Sequence, residues 1–276
     1  MKYRNSLQKI ILLVCLVAVL AVCVPSAVLA ADKSFNKTAT VTILEKNSYA
    51  STKKYTWIKY KAPGDGYLTI TVKNKIAPQP MAEKESKDQD VSEEETKAGY
   101  ASGILKLYDS KKKKALSGNF NYQTSSERSA DYTVTYGVKK NTTYYLRVKL
   151  LGSASYKCKF HKISKSSCTS KSKAKEVAAN KKMKGVITAG DKTAVWYKIK
   201  VSKKQILNLY YSGKTNDKLQ FTFSGTYLKT TKRYVTPESS KEYHTYSLER
   251  VQPGTYYIKV EPENALSSGY YTIRWN

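Results

Sequence analysis

The chain has 276 residues, with 49 Lys and Arg against 21 Asp and Glu and a formal net charge of +28. A hydrophobic content of 41%, with 12% of all residues aromatic, is enough to build packed cores and excludes a wholly disordered chain. His161 and His244 are the only histidines, which removes most imidazole-centred catalysis and most zinc sites, while the charge implies attraction to polyanions without saying anything of the fold.

Residues 1–30 read as a secretory signal peptide. Lys2, Arg4 and Lys9 form a basic start, and Ile10–Val24 is an apolar run, short against the roughly 20 residues of a spanning helix. Pro25 and Ser26 break it, and Val28, Leu29 and Ala30 precede the expected cut. Cys15 and Cys23 follow Val14 and Val22, not the small residue that precedes a lipid-bearing cysteine. No later apolar run reaches spanning length. Cleavage removes three cations, so the expected mature protein carries +25, is secreted, acts free or at the cell surface, and has no transmembrane segment.

Strand patterns follow in order: Thr40–Leu44, Trp57–Lys61, Tyr67–Val72, Ile104–Tyr108, Tyr132–Tyr136, Thr143–Leu150 and Tyr156–Phe160. Each is short, β-branched or aromatic, and mostly alternating. Turn signals such as Pro63-Gly64-Asp65-Gly66 separate them. Between the third and fourth lies an acidic insertion, about 77–99, with Glu83, Glu85, Asp88, Asp90, Glu93, Glu94 and Glu95. Its prolines and polarity argue for a mobile loop. Residues 162–182 are Lys/Ser-rich and read as a linker.

The set then repeats. Trp57-Ile58-Lys59-Tyr60-Lys61 aligns with Trp196-Tyr197-Lys198-Ile199-Lys200, and Tyr67–Val72 with Ile206–Tyr211. The run Val138–Val148 aligns with Val251–Val260, and Tyr156–Phe160 with Tyr271–Trp275. Four colinear matches at this long period indicate duplicated domains rather than solenoid repeats. The expected architecture is all-β: two tandem jelly-roll-like antiparallel β-sandwiches after a signal peptide, at 31–161 and 183–276. Cys158 and Cys168, the cysteines left after cleavage, could bridge in an exported protein; alternatively Cys158, on the apolar face of its strand, is a buried thiol.

At Trp196-Tyr197-Lys198-Ile199, after Ala189-Gly190-Asp191-Lys192, and at the closing Pro253-Gly254-Thr255-Tyr256-Tyr257-Ile258-Lys259-Val260, the chain resembles the bacterial pre-peptidase C-terminal (PPC) domain. Gly269-Tyr270-Tyr271-Thr272-Ile273 supplies the final strand. The first copy departs from the pattern at Thr142, which replaces the glycine of the closing turn, and at the acidic insertion. The resemblance implies a secreted jelly-roll sandwich that accompanies extracellular peptidases as a non-catalytic accessory or binding module. The scaffold itself hosts unrelated roles.

No chemistry is legible. Neither histidine accompanies a nucleophile motif, Gly-x-Ser-x-Gly and phosphate loops are absent, and the Cys and His spacings fit no zinc site. The chain is therefore expected to have no catalytic residues and no cofactor. Asp88 and Asp90 are weak calcium candidates, offering two close carboxylates without the glycine-containing loop of a calcium site. Strand alternation places Tyr145 and Arg147 outward in the first copy, and Tyr257, Lys259, Tyr270 and Arg274 outward in the second. Tyrosine beside cations can stack on sugars or pack against an extended peptide while the cations hold anionic groups; the same residues also suit an ordinary solvated sheet. Partners expected on this reading are an anionic cell-wall polymer, a glycan or an extracellular protein, and no specific nucleic acid, since no recognition motif is present and arginine is scarce. The alternative is a structural or assembly accessory of a separately encoded exported peptidase.

Overall fold

In the segment Val195–Val201 the side chains of Val195, Tyr197, Ile199 and Val201 are buried, while Trp196, Lys198 and Lys200 between them are not. That period of two, repeated along the chain, builds a β-protein. The computed structural model describes residues 33–34, 40–44, 56–75, 100–125, 131–151, 153–164, 166–226, 228–239 and 243–276, and these contain no helix. Residues 1–30 and the acidic insertion, with Asp88 and Asp90, lie outside the described residues.

The first half comprises β1 (Lys33–Ser34), β2 (Thr40–Leu44), β3 (Thr56–Lys61), β4 (Gly66–Lys75), β5 (Tyr100–Tyr108), β6 (Phe120–Ser125), β7 (Asp131–Val138), β8 (Thr143–Leu151) and β9 (Ser153–Lys162). The second comprises β10 (Lys175–Glu176), β11 (Met183–Ile187), β12 (Val195–Val201), β13 (Gln205–Thr215), β14 (Leu219–Gly225), β15 (Leu228–Val235), β16 (His244–Val251), β17 (Gly254–Pro262) and β18 (Gly269–Trp275). Each half has a five-stranded sheet, β1-β3-β8-β5-β6 and β10-β12-β17-β14-β15, and a four-stranded sheet, β2-β9-β4-β7 and β11-β18-β13-β16. Adding nine to every strand number of the first half gives the second. All pairings are antiparallel except the two-residue β1 and β10, which run parallel to β3 and β12.

In each half the inner faces of the two sheets close on one apolar core, the arrangement of a β-sandwich. Leu105, Leu107, Leu146 and Val148 of one sheet meet Leu68, Ile70, Val134 and Cys158 of the other. In the second half Ile199, Phe221, Phe223 and Ile258 meet Leu207, Leu209, Tyr271 and Ile273. Many tyrosines belong to these cores: Tyr60, Tyr136, Tyr144, Tyr156, Tyr197 and Tyr271 are almost wholly buried. The Tyr197 and Tyr271 hydroxyls satisfy each other at 2.9 Å, and burial pushes the Tyr197 phenol up to about 12. Before β8 and β17 a buried tyrosine ties down the preceding turn. Lys139 N–H donates to the Tyr144 hydroxyl (2.9 Å), and the Tyr256 hydroxyl donates to the Gln252 carbonyl (2.7 Å). Thr142 stands where the second half has Gly254, and the residue before it, Asn141, takes φ 59°, a side chain that tolerates the left-handed region.

The Lys/Ser-rich stretch expected to be a linker is instead ordered structure of the second half. It supplies β10, and it buries Ala174 and Val177. Val177 N–H donates to the Lys198 carbonyl (2.9 Å), and the Val177 carbonyl accepts the Trp275 indole N–H (2.6 Å). The halves also join directly within one compact unit, Lys33–Asn276. Ala189 N–H donates to the Gly137 carbonyl of β7 (2.9 Å). A Cβ on Gly137 would run into the Ile187 carbonyl, so glycine is required by this close backbone approach.

Candidate functional site

Strand β8 lies at the centre of its five-stranded sheet, and its register sets the outward face. Arg147 faces Trp57 of β3 and Lys106 of β5, while Tyr145 faces Lys59 and Tyr108. These side chains all leave the core because their neighbours Tyr144, Leu146 and Val148 enter it. Trp57 meets Tyr108 edge-on with ring centres 5.2 Å apart, and Tyr145 edge-on at 6.3 Å. The Arg147 guanidinium lies 5.0 Å from the Tyr108 ring centre. The Lys112 ammonium lies 4.5 Å from that of Tyr145 and 5.4 Å from that of Trp57, distances at which a cation is drawn to the ring face. Tyr108 is buried beneath this layer, while Trp57, Tyr145, Lys112 and Arg147 are half-buried.

Lys112 arrives from the loop between β5 and β6. Asp109 shapes that loop by accepting the N–H groups of Lys113 (2.9 Å) and Lys114 (3.1 Å). Slight desolvation pushes the Asp109 carboxyl up, but backbone donation from Lys114, Lys113 and Lys111, with the Lys111 charge, holds it below the usual carboxylate range. Lys112 takes φ 58° at the loop tip.

The equivalent face of the second half carries Trp196 opposite Lys259, and Lys198 opposite Tyr257. Lys259 lies 5.7 Å from the Trp196 ring centre and forms an ion pair with Glu261 at 2.6 Å. Gln220 donates to the same carboxylate (2.8 Å). Over Tyr257 sits Lys171 at 4.5 Å, brought there by the stretch that runs beside β12.

The sequence-derived candidates thus separate. Tyr145 and Arg147 share one face with each other, and Tyr257 and Lys259 share its counterpart. Tyr270 and Arg274 belong to neither, since they lie on the four-stranded sheet of the second half. Tyr270 stacks on Tyr67 with ring centres 4.7 Å apart, and Tyr67 stacks on His161 at 4.6 Å. Tyr270 thus packs at the junction between the halves, away from both faces. Arg274 is exposed and lies 4.5 Å from the Tyr210 ring centre. The candidate bridge between Cys158 and Cys168 is also corrected, because both thiols are free. Cys158 sits in the first core, where burial pushes its thiol up to about 12. The Cys168 carbonyl accepts the Trp196 N–H of the second half (2.8 Å), so the two cysteines serve different halves. His161 packs on Tyr67, and His244 stacks on Tyr211 at 5.2 Å. Asp88 and Asp90 fall outside the described residues, and among the described residues no group of three or more His, Cys, Asp or Glu could hold a metal ion.

Sequence reasoning missed Trp57, Tyr108, Lys106 and Lys112 as members of the first face. The first three were accessible from alternation once β3, β8 and β5 were set side by side. Lys112 depends on the fold of a turn and left no periodic signal.

No protein-family model matches the chain, and no curated protein matches it. Among solved structures it is similar to the pre-peptidase C-terminal domain of a collagenase from Bacillus anthracis, at 15% identity and TM-score 0.31, over 37% of this chain and 94% of that one. It is also similar to the CBM22-1-CBM22-2 tandem domain of Xyn10C from Paenibacillus barcinonensis, at 6% identity and TM-score 0.24, over 79% and 82% of the two chains. A third is the CUB1-EGF-CUB2 region of human MASP-1/3, at 9% identity and TM-score 0.23, over 87% of this chain and 100% of that one.

Proposed function

We propose that the chain is an exported, non-catalytic binding module made of two β-sandwich domains of the PPC type. The domains span about 31–161 and 183–276, with residues 162–182 attached to the second. The module engages an anionic wall polymer, a glycan or an extracellular protein outside the cell. Export is supported by the basic, apolar and small-residue order of residues 1–30. The duplication is supported by the repeated strand order.

The observation that carries the binding reading is the outward face of the first half. Three aromatic rings there hold Arg147 and Lys112 in place. A sheet face that needs only to stay soluble has no need of fixed cations over rings, whereas a binding face gains from side chains that are already ordered. The test is an array of glycans and extracellular-matrix proteins probed with the mature chain at low and high salt. Retention on at least one class, weakened by Arg147→Gln, is the expected result. Absence of binding to every member, or chemical turnover of a bound probe, would overturn the reading.

A further inference from the structure

Among the described residues, the tip of the β5–β6 hairpin is a surface feature of the first half with no counterpart in the second. Lys111, Lys112, Lys113 and Lys114 are consecutive there. The turn that carries them is fixed: Asp109 N–H donates to the Lys114 carbonyl (3.0 Å), and Lys112 N–H donates to the Asp109 carbonyl (3.1 Å). Beyond them Leu116 is buried, and its N–H donates to the Leu107 carbonyl (2.8 Å), which pins the returning chain. Asp109, the acid within this turn, engages backbone N–H groups with its carboxylate. Four like charges confined to one turn repel each other. Lys112 lies back over Tyr145 and Trp57, while Lys111, Lys113 and Lys114 are exposed. In the second half, Thr226 and Tyr227 alone separate β14 from β15 in the sequence, and no such run lies there.

We infer that this hairpin tip, with Arg147 and Lys106 on the adjoining face, grips a flexible anionic polysaccharide that bears a carboxylate on successive sugars. The inference rests on the binding-module reading and narrows it to one half and one ligand class. Closely spaced negative charge relieves the repulsion within the turn, and the preset turn limits the ordering that binding requires. The rings argue for charge rather than stacking. Lys112 already lies over Tyr145 and Arg147 over Tyr108, whereas single-stranded nucleic acid needs open ring faces for its bases. Duplex DNA offers phosphates to any cationic surface, but the export signal read at residues 1–30 favours a polymer met outside the cell. A polyuronide asks only for cations at short spacing.

The experiment measures affinity of the mature chain for polygalacturonate, neutral dextran and duplex DNA across a salt series. The variants are Lys111→Gln with Lys113→Gln in the first half, and Lys198→Gln with Lys259→Gln in the second. Thermal melting of each variant checks that it folds. The inference expects tight binding to polygalacturonate that fades with salt, and little retention on dextran. It expects a loss of roughly ten-fold at low salt for the first pair, the scale of two surface charge contacts, and under two-fold for the second. Equal losses for the two pairs would mean diffuse attraction to net charge and would overturn it. DNA bound as tightly, with the same lysine dependence, would overturn the choice of a polysaccharide. Failure to bind polygalacturonate alongside retention on dextran or a matrix protein would sink this inference and leave the binding-module reading standing.

Discussion

At matching outward positions of the two five-stranded sheets, the first half carries Trp57, Lys59, Lys106, Tyr108, Tyr145, Arg147 and Lys149. The second carries Trp196, Lys198, Thr222, Ser224, Tyr257, Lys259 and Glu261. Beneath both, the strand order is the same, and the inward positions stay apolar, with Leu146 answered by Ile258 and Val148 by Val260. The first face has four cations and no acid at these positions; the second has two cations and one acid. The acid is spent on Lys259. The two halves share what the sandwich needs and differ on the solvent side. Stability should therefore respond alike to matched core changes, and ligand binding should not respond alike to matched surface changes.

The largest expected effect tests the shared part. Leu146→Ala and Ile258→Ala each remove a buried side chain from a β-sandwich core, and each should destabilise by about 2–5 kcal/mol in denaturant titration. A large loss in one and none in the other would break the equivalence of the cores. Next is Gly137→Ala, which forces a methyl group against the Ile187 carbonyl across the junction. It should cost about 1–3 kcal/mol, the scale of overpacking, and should loosen the coupling between halves, seen as two melting transitions in place of one. An unchanged single transition would show that the junction yields without consequence.

Smaller effects probe the divergent part. Tyr145→Ala removes an edge contact with Trp57 and the ring beneath Lys112, so it should destabilise by about 1 kcal/mol. That exceeds the roughly 0.5 kcal/mol of an ordinary surface position. Because Tyr145 acts by placing a cation, its loss should weaken binding most at low salt. A salt-independent loss would instead mark the ring as a stacking platform. The smallest effect is a pH dependence at His161. Desolvation, with Lys159 and Lys214 nearby, holds this imidazole below its usual 6.5. The unfolded chain therefore takes up the proton first, and stability falls as pH drops through the usual imidazole value. His161→Gln should flatten the melting temperature over the mildly acidic range; an unchanged slope would assign it to other groups.

Much of this architecture was legible because alternation is a strong signal. Runs such as Thr143–Leu150 announce both a strand and its inward side. The two-residue β1 and β10 were not legible, since two residues have no period. Phe120–Ser125 escaped because, among the described side chains of β6, only Tyr122 is buried. Residues 162–182 read as a linker because lysine and serine dominate, while the buried Ala174 and Val177 are too small and too sparse to register. For the site, alternation correctly turned Tyr145 and Arg147 outward and said nothing of what lies over them. Tyr270 shows the limit of that argument. It does point away from its own core, and a neighbouring half packs on the face where it points.

The central claim is that the first half's cation-bearing face is the contact surface of a binding module, and it is tested most directly by isothermal titration of one polyanionic glycan into paired variants. The account predicts that Tyr145→Ala with Arg147→Gln lowers affinity at low salt by roughly ten-fold, and that Tyr257→Ala with Lys259→Gln changes it less than two-fold, both variants remaining folded. Equal affinity in the two variants, or the larger loss in the second, would contradict it.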